Sequence, residues 1–331
     1  MNSVHQRHKL QFQNSKRTYR LVSLFSACLF LSSFSFSQVH WKKVDSLYQP
    51  LPSSIHIFKT ADSINGKAFI AYYISAKLKD KKLFFTTQTG SGNRYTPLQY
   101  YQQERFPLVV VNCSFFSIIN NQNLSVIIKN GKIVSRNVTS LHGAGKDSML
   151  YYYVTRSALG IDKKGNADVA WTFTHPSKKK VYAFESAPVL AKNEYIKPDI
   201  FDLKNVEWKW WRMQTAVGGG PTLVHEGEIN ITDKEEQIVG REDNQEARTA
   251  MGYTKDNRLI ILVIQGGISR VAQGATFDDE ASILKSLGCY EALNLDGGAN
   301  SYMLINGKET IRPSDANGAR ALPAVFLIKS N

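Results

Sequence analysis

The stretch LNLDGGANSYMLING interrupts an apolar run with a polar turn that carries a carboxylate. Asp296 follows residues typical of a buried strand, and Gly297 and Gly298 allow a bound molecule to approach the backbone closely. A second turn, Asn306-Gly307, already supplies a hairpin connection for the strand that follows. The stretch is therefore either a binding loop built around Asp296 or an ordinary Asp-Gly turn, and these residues alone leave both open.

Two further stretches contain groups that bind anions. AVGGGPTLVHEG places Gly219 and Gly220 after an apolar pair, where exposed backbone N–H groups can cradle an anion or a sugar hydroxyl. EARTAMGY places Arg248 just before a strand, and a guanidinium group binds phosphate or carboxylate through two parallel hydrogen bonds. Each has a structural alternative, which is tight packing near a strand end for the glycines and a surface salt bridge for the arginine.

The stretch NCSFF follows the apolar run LVVV, so we expect Asn112 at a strand end beside Cys113 and Ser114. No G-x-S-x-G motif surrounds the serine, and neither His142 nor His175 lies in a recognisable catalytic motif. The sequence therefore favours a structural cysteine over a nucleophile. The chain also has no C-x-x-C and no H-x-x-x-H pattern, which argues against a zinc site.

The chain has 331 residues, of which 43% are hydrophobic and 21% charged, as in folded globular proteins. Its start is basic and continues with LVSLFSACLFLSSFSFSQ, the pattern of a secretory signal peptide cleaved before Gln38. Lipoprotein processing at Cys28 and an uncleaved membrane anchor are the alternatives. We expect a signal peptide at 1–37, a leader segment at 38–65 and one domain at 66–331. The protein would then be secreted, periplasmic or at the cell surface, without an integral membrane domain.

The net charge of +13 falls to +8 without residues 1–37, because that segment has five basic residues and no acid. The remaining lysines lie in turn-like stretches such as SKKKVY and do not alternate with aromatic residues, which argues against a nucleic acid partner. An anionic substrate or a cell-surface polymer is compatible with this charge. Cys113 and Cys289 could pair in an exported protein, although two cysteines do not make a disulfide framework.

Strand signals dominate from residue 66 onward. AFIAYYISA, LFFTTQT, PLVVVNCSFF and NRLIILVIQG are rich in β-branched and aromatic residues and are bounded by turns. The clearest helix is TFDDEASILKSLG at 276–288, where Thr276 and Asp279 form a capping box and Gly288 ends the helix. These patterns predict a single α+β domain with a strand-rich mixed β-sheet core and few helices.

Seven stretches in order along the chain resemble the phosphodiester glycosidase domain family: VNCSFF, NGKIVS, SALGIDKKG, GGGPTLVHEGEI, ARTAMGYTKDNRLIILVIQG, GATFDDEASILKSLGCYEALNLDGGANSYM and RPSDANGAR. ALNLDGG is the most specific of them. The resemblance spans residues 105–329 and implies a hydrolase that cleaves a sugar 1-phosphodiester linkage, which the predicted signal peptide would make an exported one. Its expected partner is a carbohydrate phosphodiester, in a cell-surface or extracellular polysaccharide.

The positions that match the family imply which residues form the site. For catalysis they imply Arg248 as the cation that binds the phosphate, and Asp296 with Glu280 as the carboxylate pair at the anomeric carbon. The positions implied for substrate binding are Asn112, Phe116, Gly219, Gly220, Thr249, Thr276, Gly297, Gly298, Ser301, Asp315 and Arg320. No cofactor is expected, although Asn294, Asp296 and Asp315 could hold a divalent cation such as calcium.

Three places depart from the family pattern. Residues 113–114 are Cys-Ser instead of a small residue and glycine, and residues 299–300 are Ala-Asn instead of Gly-Ser. Gln265 stands where an aspartate commonly precedes Gly266. The last change removes a carboxylate from the expected pocket rim, and it supports a second hypothesis, a non-catalytic surface glycan-binding protein.

Overall fold

The computed structural model describes residues 39–142, 151–188, 207–238 and 243–331. The expected signal peptide at 1–37 and Cys28 lie outside the described residues. Within those ranges, no helix has the length and apolar character needed to cross a membrane.

Antiparallel strands build the fold, and three sheets contain most of them. The largest sheet has eight strands, in the spatial order β1 (Lys42–Lys43), β2 (Ile55–Thr60), β5 (Ala71–Lys77), β20 (Arg258–Ile264), β19 (Arg248–Thr254), β21 (Cys289–Asn294), β17 (Thr222–His225) and β18 (Glu228–Ile229). The second has seven: β15 (Trp208–Trp210), β14 (Val181–Phe184), β13 (Ala167–Thr174), β12 (Arg156–Ile161), β16 (Thr215–Gly218), β8 (Ile127–Lys129) and β9 (Lys132–Ser135).

The third sheet has five strands: β23 (Lys308–Glu309), β22 (Met303–Ile305), β7 (Val109–Asn112), β24 (Ala324–Ser330) and β6 (Leu83–Thr89). Two small two-stranded sheets pair β3 (Ser63–Ile64) with β4 (Lys67–Ala68) and β10 (Ser140–His142) with β11 (Tyr151–Tyr153). The α-helices of the described residues are α1 (Pro97–Gln103) and α2 (Phe277–Ser286). Short 3-10 turns occupy Asp45–Tyr48 and Gly298–Asn300.

The prediction of a strand-rich fold is confirmed, but the α+β label is not, since α1 and α2 are short elements beside many strands. The predicted mixed sheet is wrong, because every strand pair among the described residues is antiparallel. Parallel neighbours require a long crossover connection. Here the helical connection from β20 through α2 to β21 places both strands against β19, on opposite sides, and each is antiparallel to it.

The predicted helix is confirmed together with its cap. The Thr276 hydroxyl accepts the N–H of Asp279 at 3.2 Å, and the Asp279 carboxylate accepts the N–H of Thr276 at 3.1 Å. The helix ends at Ser286, and Gly288 then adopts φ +80°, a backbone conformation that favours glycine. The apolar side chains of Phe277, Ala281 and Leu284 are buried, so α2 is held against the sheet by one face.

The main core lies between the three sheets, because each contributes buried side chains to one cluster. Its members include Ile57 and Ile261 of the eight-stranded sheet, Val217 of the seven-stranded sheet and Val111 of the five-stranded sheet. Residues 39–65 take part, since β2 pairs with β5 along its whole length. The predicted boundary between a leader at 38–65 and a domain from 66 stays a prediction.

Both cysteines of the described chain are free thiols in the interior. Cys113 belongs to the main core, and Cys289 packs in the separate cluster under α2. The disulfide that the sequence left open is therefore not formed. Burial raises the pKa of each thiol to about 12, so both stay protonated and unreactive near neutral pH.

Candidate functional site

The loop after β21 carries Asp296 to the place where the end of β7 meets the start of β19. Its backbone is tied to both strands: the N–H of Asp296 donates to the carbonyl of Cys113 at 2.9 Å, and the N–H of Leu295 donates to the carbonyl of Thr249 at 2.7 Å. Two different sheets thus fix the position of this loop.

Asn112, at the end of β7, joins three predicted motifs through its side chain. Its Nδ2 atom donates to the carbonyl oxygen of Asp296 at 2.6 Å. Its Oδ1 atom accepts from the Thr249 hydroxyl at 2.8 Å and from the N–H of Tyr302 at 2.9 Å. The residue is 1% exposed, so it supports the Asp296 loop from inside the protein.

A cavity of about 700 Å³ lies beside this loop. The predicted site residues that line it are Phe116, Arg248, Asp296, Gly297, Gly298 and Arg320. Its volume is in the range of small-molecule sites. Residues far apart in the sequence thus border one concave space.

The other predicted residues are not brought to the cavity wall. Those outside the lining are Asn112, Gly219, Gly220, Thr249, Thr276, Glu280, Ser301 and Asp315. Asp315 is connected to the cavity through Arg320, whose Nε atom lies 2.7 Å from its Oδ2 atom. The N–H of Asn317 and the Arg320 guanidinium lower the pKa of Asp315, which keeps this carboxylate ionised. Thr276 acts as the cap of α2, a role that already accounts for its hydroxyl.

The carboxylate of Asp296 is held in one orientation. Its Oδ2 atom accepts a hydrogen bond of 2.9 Å from Nδ2 of Asn300, and the residue is 8% exposed. Asp296 therefore presents its carboxylate to a bound molecule in a fixed orientation.

Three buried oxygen atoms on the cavity-lining residues have no hydrogen-bond partner among the described residues: Oδ1 of Asn294, Oδ1 of Asn300 and Oγ of Ser125. The two amides are oriented by their other ends, because Nδ2 of Asn294 donates to the carbonyl of Gly220 at 2.7 Å and Nδ2 of Asn300 donates to Asp296. Buried acceptors are normally satisfied. These atoms can accept hydrogen bonds from the hydroxyl groups of a ligand.

Arg248 is a buried cation, 3% exposed, so it does not lie at the protein surface, where the structural alternative placed it. Its Nε atom donates to the carbonyl of Ala275 at 2.9 Å, and its Nη2 atom donates to the carbonyl of Asn244 at 2.7 Å. Its Cζ atom lies 4.2 Å from the centroid of the Phe277 ring. These contacts fix the plane of the guanidinium, which is how a preorganised anion site is built.

Glu280 lies in the first turn of α2 and is 0% exposed. Neither of its carboxylate oxygens has a hydrogen-bond partner within the described ranges. Burial raises the pKa of Glu280 to about 8, although the charge of Arg248 opposes that shift. The structure therefore separates Glu280 from the cavity wall, and its catalytic role stays a prediction.

The glycines of AVGGGP are needed for close packing. The N–H groups of Gly219 and Gly220 donate to the carbonyls of Ser157 and Asn294, so they are already used. A Cβ atom on Gly219 would lie 2.3 Å from the carbonyl oxygen of Asn294, and one on Gly220 would lie 2.5 Å from Oε2 of Glu236. Tight packing, the structural alternative for these residues, accounts for them.

Gln265 and Asp315 were both expected at the pocket, and neither lines the cavity. Gln265 does not line the cavity; its Oε1 atom accepts the N–H of Arg312 at 2.8 Å. Of the oxygen-rich trio proposed for a cation, Asn294 and Asp296 line the cavity and Asp315 does not. The described residues contain no cluster of three or more His, Cys, Asp or Glu suited to a metal ion.

Sequence reasoning missed several cavity residues, among them Ser125, Arg156 and Glu246. The signal for Glu246 was present, because it precedes Arg248 by two residues and alternate side chains of an extended segment share a face. Ser125 and Arg156 carried no local signal. Arg156 enters the site because its guanidinium donates to the carbonyl of Glu236 in a distant segment.

The comparisons with known proteins agree with the resemblance seen in the sequence. The family model "phosphodiester glycosidase" matches residues 169–329, which confirms that resemblance. No curated protein matches the chain.

Three solved structures resemble this chain in fold. A hypothetical protein from Synechocystis has a TM-score of 0.59 at 14% identity and covers 88% of this chain, while this chain covers 64% of it. The catalytic domain of zebrafish N-acetylglucosamine-1-phosphodiester alpha-N-acetylglucosaminidase, auto-inhibited by its pro-peptide, has a TM-score of 0.58 at 21% identity, covering 86% of this chain and 85% of that one. A Burkholderia pseudomallei protein described as exported has a TM-score of 0.51 at 14% identity, covering 81% and 75%.

Proposed function

We propose that this protein hydrolyses a sugar 1-phosphodiester linkage, because residues 169–329 match the model of the phosphodiester glycosidase family. The observation that carries the proposal is the joint presence of Arg248 and Asp296 in the lining of one cavity. A glycosyl phosphodiester combines an anion with a sugar, and hydrolysis requires a carboxylate at the anomeric carbon between them. These two residues supply the cation and the carboxylate.

The phosphate half of the substrate is bound by arginine. Arg248 is immobilised by two backbone carbonyls and by the Phe277 ring, so little conformational freedom is lost when it binds an anion. Arg320 provides a second guanidinium at the cavity wall, although its pairing with Asp315 reduces the charge it offers. Arg248 is therefore the principal phosphate contact.

The sugar half is bound by the oxygen acceptors of Ser125, Asn294 and Asn300. These buried acceptors have no partner among the described residues, and a buried acceptor without a hydrogen bond is costly. Sugar hydroxyls are hydrogen-bond donors, so a sugar can satisfy them. Phe116 and Leu124 add apolar surface to the lining. A sugar presents both kinds of surface, which suits this combination of wall residues.

Asp296 stabilises the positive charge that develops at the anomeric carbon as the bond to phosphate breaks. Phosphate leaves readily with the bonding electron pair, so protonation of the leaving group contributes less than it does for an alkoxide. The reaction transfers the oxygen of water to the sugar and releases a phosphomonoester. We place the substrate in cell-surface or extracellular polysaccharide on the basis of the predicted export.

Turnover of a substrate panel tests the hydrolase. The purified protein is incubated with sugar 1-phosphodiesters and with p-nitrophenyl glycosides in water enriched in ¹⁸O. A glycosidase releases free sugar carrying the label at C1 and an unlabelled phosphomonoester. Label in the phosphate instead identifies cleavage of the P–O bond and contradicts the proposal.

Binding without turnover is the result that favours the alternative, a surface glycan-binding protein. Its support was the missing carboxylate at Gln265, and that residue does not line the cavity. Calorimetric titration with the same phosphodiesters, run beside the turnover assay, separates the two functions.

Export is part of the proposal and rests on the basic start and the apolar run that follows it. N-terminal sequencing of the protein from its native host should begin at or near Gln38. Intact Met1 on protein recovered from the cytoplasm contradicts it.

A further inference from the structure

Glu246 brings a second carboxylate to the cavity that Asp296 and Arg248 line. Its main chain pairs with that of Ala275. The N–H of Glu246 donates to the Ala275 carbonyl at 3.3 Å, and the N–H of Ala275 donates to the Glu246 carbonyl at 2.9 Å. This pairing holds the segment extended. Because alternate side chains of an extended segment share a face, Glu246 and Arg248 both reach the cavity.

The Glu246 carboxylate lies next to the loop that carries Asp296. A Cβ atom on Gly298 would lie 3.4 Å from Oε2 of Glu246, and Gly298 comes two residues after Asp296. The other oxygen, Oε1, accepts a hydrogen bond of 3.2 Å from Nδ2 of Asn244. Asn244 thus orients Oε1, and Oε2 lies beside the loop that carries Asp296.

Glu280, the partner of Asp296 implied by the family resemblance, has a different environment. It is completely buried and does not line the cavity, whereas Glu246 is half-buried and does. A group that takes a proton from water must reach that water. The geometry therefore favours Glu246 for this step.

We propose that Glu246 and Asp296 form the carboxylate pair of the hydrolysis, an inference that rests on the function proposed above. Glu246 is the general base. The water oxygen bonds to the anomeric carbon, its proton moves to Glu246, and the bond from that carbon to the phosphate oxygen breaks with its electron pair remaining on the phosphate. The products are the free sugar and a phosphomonoester, and the proton on Glu246 passes to solvent.

The test uses the full chain with the sugar 1-phosphodiester that the wild type hydrolyses fastest. Glu246→Gln should lower kcat by about 10²-fold or more, with little change in KM, because a general base acts in the chemical step. Glu246→Ala should lose activity similarly. Added formate should raise the kcat of this variant at least about tenfold, because formate supplies a carboxylate that accepts the proton. Glu228→Gln is the matched control, since that side chain is 77% exposed and lies outside the cavity.

Several results would overturn the assignment. A Glu246→Gln variant with wild-type kcat, or one in which only KM rises, removes Glu246 from the chemical step while the proposed function stands. Formate rescue of Glu280→Ala but not of Glu246→Ala returns the role to Glu280. Failure of the wild type to hydrolyse any member of the panel overturns the proposed function and this inference together.

Discussion

Asn112 holds the main chain of Asp296 through a hydrogen bond of 2.6 Å from its Nδ2 atom to the Asp296 carbonyl oxygen. The same amide accepts two further hydrogen bonds through Oδ1, one from Thr249 and one from Tyr302. β7 and β19 belong to different sheets, so this side chain joins two layers of the fold at the point where the candidate catalytic carboxylate leaves its strand.

Replacing Asn112 tests this role directly. Asn112→Ala leaves several buried polar groups without partners and should lower the free energy of unfolding by at least about 2 kcal/mol. Urea denaturation of the variant and the wild type measures the change. Asn120→Ala, at an exposed position, is the control and should differ little. An equally stable Asn112→Ala variant would show that the amide does not hold the layers together.

Asp296→Asn should remain folded but lose at least about 10²-fold in kcat. An asparagine at this position still offers an oxygen to Nδ2 of Asn300, so the local structure is kept while the negative charge at the anomeric carbon is lost. Thermal unfolding and initial rates of phosphodiester hydrolysis give the two quantities. Activity that falls only in proportion to the folded fraction assigns Asp296 a structural role.

Arg248→Lys should lower kcat/KM for a sugar 1-phosphodiester at least about tenfold, since a charge-assisted bidentate contact contributes about 1.5–3 kcal/mol. A lysine cannot donate to the carbonyls of Ala275 and Asn244 and also grip a phosphate in the same geometry. If the wild type also hydrolyses a neutral p-nitrophenyl glycoside, the variant's kcat/KM for that substrate should fall less than its kcat/KM for the phosphodiester. Arg212→Lys is the control outside the cavity. Equal losses on both substrates would argue against a phosphate contact.

Glu280→Gln should alter how stability depends on pH. The pKa of Glu280 is about 8 in the folded protein and about 4.3 in an unfolded chain. Between these values the folded state binds more protons than the unfolded state, so this group stabilises the fold less as pH rises. Glutamine does not ionise, so the variant does not lose stability in this way. The Tm of the variant minus the Tm of the wild type should therefore increase from pH 5 to pH 8. A Tm difference that does not vary with pH contradicts the raised pKa.

Local sequence patterns determined several elements of this protein. The capping box of α2 at Thr276 and Asp279 and the helix stop at Gly288 were predictable, because their partners lie within a few residues. The positions of Asn112 and Asp296 at strand ends were also predictable, since an apolar run followed by polar turn residues marks the end of a buried strand.

Tertiary structure decided which of these residues meet. The antiparallel pairing, the burial of Glu280 away from the cavity and the use of the Gly219 N–H by another backbone segment all depend on contacts between distant parts of the chain. The same holds for the cavity itself, where Glu246 and Asp296 come from segments separated in the sequence by β19, β20, α2 and β21. Sequence periodicity reports only which face of an element is apolar, whereas a site requires the ends of several elements to converge, and packing of the three sheets around one core sets that convergence.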